Sequence, residues 1–172
     1  NGCQYIPPAK TVSFNPNPTI EIKGPTEVCE CSVAQLKTLP CNYTNYSYLW
    51  SNGSTSCDIY VNPPWFPCQT PPGTYTYNVT VTDNITNCSS VASHTIVVHP
   101  LPAPFTITAS PVGPHCAGDV VTFTAPVQSG ILYAWSTGQL GVNSITVTVE
   151  EGPYFAIAID SITGCERKSN VI

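Results

Sequence analysis

The chain has 172 residues, a formal net charge of −5, only five Lys and Arg, and charged residues at 9%. Five cations make no patch that neutralises phosphates or anionic lipid, which argues against nucleic acid and membrane surfaces as partners, and no apolar run approaches the roughly 20 residues of a membrane span. Nine cysteines point instead to an oxidising, extracellular setting, and a chain without Met is expected to start upstream or to have been processed.

Residues 1–18 read as the end of a preceding module: a cysteine, a Pro-rich turn, then AKTVSFNPNP. Within it Thr11–Phe14 takes the place of a last strand, as Thr95–Val98 does before the linker of Pro100, Pro102 and Pro104. A first repeat then opens with Thr19–Ile22, matched later by Thr106–Ala109. Val33–Lys37 corresponds to Val120–Thr124, and both alternate as strands do. Next come YLWSNGS at Tyr48–Ser54 and YAWSTGQ at Tyr133–Gln139, each a Trp-bearing strand entering a Gly turn, a hairpin signal. The expected return strands are Asp58–Asn62 and Ser144–Val149. Repeat one alone inserts PPWFPCQTPPG, a stiff Pro-rich loop. The strongest match follows: Tyr77–Cys88, YNVTVTDNITNC, and Tyr154–Cys165, YFAIAIDSITGC, keep D-x-I-T-x-C position for position. The domain reading is therefore 1–18 as a strand completing an adjacent module or subunit and 19–102 as a first domain with extra disulfides and an inserted loop. Residues 103–172 are a second domain lacking its last strand. Short strands, frequent turns and no helical periodicity make both all-β, two tandem immunoglobulin-like β-sandwiches.

The repeat also suggests cysteine pairings. Repeat two holds only Cys116 and Cys165, so oxidation within it must join them, and by equivalence Cys29 pairs with Cys88. Each bridge would close a loop of about 50 to 60 residues, near 4 kcal/mol by chain entropy. Cys3 is left for a preceding repeat or another molecule. Cys31, Cys41, Cys57 and Cys68 allow three connectivities, and an up-and-down strand order favours Cys31–Cys57 and Cys41–Cys68.

At WSNGS, SITVTV, GTYTYNVTVTDNITNC and HPLPAP the chain resembles the immunoglobulin-like and PKD-like repeats of large bacterial cell-surface adhesins and extracellular filaments, including those exported by the type IX route. That resemblance implies β-sandwich modules with spacing, stalk or adhesive roles. It also brings in Asp160-Ser161-Ile162, similar to a short O-glycosylation motif, with Ser161 as acceptor. The four extra cysteines and the Trp65 loop depart from the pattern.

Catalytic signatures are absent: His94, His99 and His115 are scattered, and no nucleophile elbow, zinc-protease or phosphate-loop motif occurs. No cofactor is expected. A calcium site at Asp83, Asp160 or Glu150 and Glu151 would need a dense acidic loop, so no metal is expected, and the two aspartates are read as turn caps. Trp50 and Trp135 are repeat-equivalent and read as core, whereas Trp65 and Phe66, flanked by Pro63, Pro64 and Pro67, either dock on a ligand or subunit or cover their own sheet. Asn42, Asn45, Asn52, Asn78, Asn84 and Asn87 each begin an N-x-S/T sequon.

The two ends carry the functional expectation. A sandwich short of a strand exposes unpaired backbone and apolar core, and Ala9, Lys10, Thr11, Val12, Ser13 and Phe14 of another copy would complete it, giving an open head-to-tail fibre. The alternative arrangement is a longer tandem chain with the same strands covalently continuous. The sequence thus reads as a non-enzymatic extracellular fibre or stalk element whose partners are its own copies or neighbouring repeats. A carbohydrate-binding accessory module acting on surface glycans through Trp65 and Phe66 is the alternative.

Overall fold

The computed structural model describes residues 12–62, 68, 70–150 and 152–172. Expectations placed on Cys3, Ala9, Lys10, Thr11, Trp65, Phe66 and Glu151 lie outside them. Regular structure among the described residues is all strand, and none of it is a helix long and apolar enough to cross a membrane. Repeat one supplies β1 (Glu21–Lys23), β2 (Glu27–Cys29), β3 (Ala34–Leu39), β4 (Tyr46–Trp50), β5 (Asp58–Val61), β6 (Gly73–Asp83) and β7 (Ser89–His99). Repeat two supplies β8 (Thr108–Ser110), β9 (Val120–Thr124), β10 (Ile131–Trp135), β11 (Ser144–Thr148), β12 (Ala156–Asp160) and β13 (Glu166–Lys168).

The sheets run β1-β3-β5 and β2-β7-β6-β4 in repeat one, β8-β9-β11 and β10-β12-β13 in repeat two. Both repeats thus set three strands in the same order in each of two sheets, the arrangement of an immunoglobulin-like sandwich. Repeat one adds β2, which runs parallel to β7. Two compact units make up the chain. Among the described residues, one takes in those up to Pro25 with Ala34–Val61 and Thr76–Thr95; the other comprises Thr26–Val33 and those within Asn62–Tyr75 and Ile96–Ile172.

Period-two burial explains the strands. On β3, Ala34, Leu36 and Thr38 point inward while Gln35, Lys37 and Leu39 face out. The buried Thr38 hydroxyl and N–H both donate to Cys57 O, at 2.8 and 2.9 Å, so its polarity is satisfied. In repeat two Ile107, Val121, Phe123, Tyr133, Trp135, Ile145, Ala156 and Ala158 form one core cluster, with Tyr154 stacked on Phe123 at 4.7 Å. Trp50 and Trp135 are both buried, and each indole N–H donates to a carbonyl at 2.8 Å, Ser56 O and Val142 O. Tyr48 and Tyr133 likewise donate to Pro40 O and Pro126 O at 2.9 and 2.6 Å.

Several expectations need correction. The Gly53 and Gly138 turns form at φ 84° and 92°, and Leu140 folds back beside Ala134 in an isolated antiparallel bridge, but the expected return strands, β5 and β11, pair elsewhere. β4 pairs with β6 through Trp50↔Val79, and β5 pairs with β3, so the chain crosses between sheets there. The last strand of repeat one starts at Ser89, directly after its cysteine, six residues before the expected Thr95. Its small polar residues hid the alternation. Repeat two is accordingly not without its last strand: β13 pairs with β12, and Ile172 exchanges backbone hydrogen bonds with Tyr154 at 2.9 and 3.0 Å.

The disulfides also differ from expectation. The structure joins Cys29 to Cys165, Cys31 to Cys68 and Cys41 to Cys57, with Cα separations of 5.5, 4.5 and 5.4 Å. Neither Cys29–Cys88 nor Cys116–Cys165 forms, and Cys88 and Cys116 are free thiols. Strand direction is the reason. β2 runs parallel to β7 with Cys29 opposite His99, while Cys88 precedes the other end of β7, roughly 33 Å away at the usual strand rise. No disulfide spans more than about 7 Å between Cα atoms. The turns around Cys29 and Cys116, and around Cys88 and Cys165, are alike, but the bond that forms joins repeat one to repeat two and does not close within either. Cys31–Cys57 and Cys41–Cys68 are excluded by the β3–β5 register. Lys37↔Asp58 brings the segment after β3, with Cys41, beside Cys57. At the other end Asn62 donates to Ser32 O and accepts from Thr70 N, which draws Cys68 to Cys31.

Candidate strand-docking edge and paired cysteine turns

The D-x-I-T-x-C segments are the same turn twice. Asp83 Oδ1 accepts from Ile85 N and Thr86 N, both at 2.8 Å, and Asp160 Oδ1 from Ile162 N and Thr163 N at 2.9 and 2.8 Å. The backbone closes identically, Asp83 N to Cys88 O and Asp160 N to Cys165 O at 2.9 Å. Asn87 and Gly164 hold left-handed φ values of 57° and 70° just before each cysteine. Both aspartates titrate below the ordinary carboxylate value, chiefly because Thr86 N–H (Thr163 N–H in repeat two) stabilises the ionised form, with the isoleucine N–H next. They are turn caps, as the residues implied.

A second turn is also duplicated. Cys29 O accepts from Ser32 N at 3.0 Å, Cys116 O from Asp119 N at 3.1 Å, and the residue two beyond each cysteine has positive φ, Cys31 at 66° and Gly118 at 99°. Both are type II turns of one shape. Cys29 is bonded to a D-x-I-T-x-C cysteine, Cys165, while Cys116 is exposed and free.

In repeat one the end of β7 lies along β2, with Val97 N donating to Thr26 O, and Ile96 and Val98 are buried. The repeat-two counterpart of Thr26–Cys29 is Gly113–Cys116. There the structure holds an apolar recess of about 330 Å³ lined by Thr108, Ala109, Val112, Gly113, His115 and Ile172. Val112 is 93% exposed and Ile172 41%. The sequence reading missed this recess; the signal for it was the equivalence of Gly113–Cys116 with a segment that carries a neighbouring strand.

Val12, Ser13 and Phe14 form no regular structure, and Val12 and Phe14 are 69% and 89% exposed. Directly after them, Asn15 O receives the Cys88 thiol at 3.8 Å. Asn42, Asn45, Asn52, Asn78, Asn84, Asn87 and Ser161 are all exposed. The three histidines remain apart: His94 meets Pro25 O, His99 meets Glu27, and His115 lines the recess. Glu30, Cys31 and Cys68 bring three donor atoms within 4.8 Å, yet the two sulfurs are bonded to each other and offer no thiolate.

No family model matches the chain, and no curated protein does. Among solved structures, murine CEACAM1b is 14% identical with a TM-score of 0.39, covering 90% of this chain and 98% of its own. The fibronectin(III)-like modules of Clostridium thermocellum CbhA are 11% identical with a TM-score of 0.41, covering 90% of each chain. Three N-terminal domains of the bacteriophage RB49 Highly Immunogenic Outer Capsid protein (Hoc) are 16% identical with a TM-score of 0.39, covering 88% of this chain and 57% of that one. The immunoglobulin-like assignment rests on strand order, and the three disulfides among the described residues point to an extracellular or secreted domain.

Proposed function

We propose that the chain is a structural element of an extracellular fibre or adhesin stalk, lengthened head to tail by strand complementation. It performs spacing and mechanical work, and no catalysis is assigned to it. One observation carries the reading: an apolar recess lined by Gly113 and His115, at the place where repeat one holds the end of β7, occurs in the same chain as a segment outside any strand, Val12-Ser13-Phe14, whose two apolar side chains are exposed. Val12 and Phe14 fall at the positions of Ile96 and Val98, both buried in repeat one. Val12–Phe14 of a second copy would thus extend the strand begun by β13. Burying each side chain stabilises the joint by roughly 1.5–3 kcal/mol. The donor and acceptor are different surfaces, so the joint does not close on itself and the assembly grows linearly.

Electron microscopy of the purified chain tests this. Linear particles many modules long are expected, reduced to single molecules by Val12→Asp with Phe14→Asp. Both side chains are exposed, so the variant's circular dichroism should match the parent's. Single molecules from the parent chain at every concentration would overturn the proposal. The carbohydrate-binding alternative rested on Trp65 and Phe66, which lie outside the described residues.

A further inference from the structure

We propose that Cys116 of one copy and Cys88 of the next form a disulfide that locks each joint of the fibre. The inference rests on the head-to-tail reading and names the covalent chemistry of its joint.

Two matched turns carry the argument. The Cys29 turn of repeat one is bonded to the Asp160–Cys165 turn of repeat two, the repeat that follows it in the chain. The Cys116 turn reproduces the Cys29 turn, with the same carbonyl acceptor at the cysteine and the same left-handed residue two positions on. The Asp83–Cys88 turn reproduces the Asp160–Cys165 turn bond for bond. Each free thiol therefore sits in a backbone frame whose twin is oxidised. The rule that links Cys29 to the D-x-I-T-x-C turn of the next repeat links Cys116 to the same turn of the repeat after that. In a head-to-tail array that turn belongs to repeat one of the following copy, and its cysteine is Cys88.

The N-terminal segment gives a second, independent reason. Cys88 Sγ lies 3.8 Å from Asn15 O, one residue beyond Phe14. The segment that would fill the recess of the preceding copy therefore leaves it beside Cys88. At the receiving end, Cys116 directly follows His115, which lines the recess. Docking Val12–Phe14 thus brings both thiols to one place. Cys116 is exposed and Cys88 partly so, leaving both open to reaction.

The oxidation balances with a low-molecular-weight disulfide as oxidant. One cysteine thiolate attacks it, forming a mixed disulfide and releasing one thiol; the second thiolate displaces the other half as a second thiol. Two cysteine protons end on the two released thiols, and the oxidant is reduced by two electrons.

Equal amounts of natural-abundance and 15N-labelled chain, carrying Cys3→Ser to remove the remaining cysteine, are mixed and oxidised in a glutathione buffer, then digested without reduction. The expected result is a Cys88–Cys116 cross-linked peptide carrying mixed isotopes at the random proportion. A ladder in multiples of 18.4 kDa should collapse on reduction, and Cys88→Ser or Cys116→Ser should each abolish it. Both cysteines alkylated as free thiols after oxidation, or a cross-link of single-isotope pairs only, would overturn the proposal. Linear particles that persist with free thiols would sink the disulfide joint and leave the fibre reading standing; single molecules with free thiols would sink both.

Discussion

Asp83 and Asp160 each organise a turn by accepting two backbone N–H groups, and only the ionised carboxylate accepts both well. Because folding lowers these pKa values, the stability they contribute is fully present above the unfolded value near 3.8 and is lost as pH falls through the lower folded value. A melting curve taken against pH should therefore be flat above about pH 5 and decline from about pH 4 downward; Asp83→Asn with Asp160→Asn should make that decline shallower. An unchanged slope would show that other carboxyls set the acid limit. At Trp50, truncation to Ala removes a buried ring and its hydrogen bond to Ser56 O, a loss of about 3–5 kcal/mol, to be read from urea unfolding. These roles were legible in the sequence because each residue occurs twice in one setting: a solvent-facing ligand platform has little reason to recur at the same core-facing position.

Strands were legible where apolar residues alternate, as at β3, β9 and β11, whose extents differ little from expectation. They were illegible at edges. β7 opens with Ser89, Ser90 and Val91 half in solvent, and β13 reads Glu-Arg-Lys, so neither announces a buried face. β2 is three residues held by backbone bonds to β7, and no side-chain pattern reports a parallel pairing of that length. The cysteine pairings failed for this reason. Repeat equivalence identifies which cysteines are alike, but strand direction decides which are near. The register of β3 with β5 makes a further prediction: Cys41→Ala with Cys57→Ala opens a loop with a sequence separation of 16 and should cost about 3 kcal/mol, measured by thermal unfolding. A negligible change would mean that the register alone holds these segments together.

For the molecule as a whole, the repeat conveys the all-β, immunoglobulin-like plan and the idea of a linear array. The recess is a property of three-dimensional placement: Gly113 and His115 border it, and their repeat-one counterparts, Thr26 and Val28, lie along the end of β7. Its proposed occupant is only three apolar-alternating residues, so the account stands on whether these surfaces meet. Sedimentation velocity without reductant, on a parent chain carrying Cys3→Ser, Cys88→Ser and Cys116→Ser, which removes any covalent joint and keeps the three internal disulfides, measures that most directly. The account predicts species that grow with concentration from 18.4 kDa for the parent chain, and association weakened by about tenfold or more for Phe14→Asp. A single 18.4 kDa species at every concentration, the same for parent and variant, would contradict it.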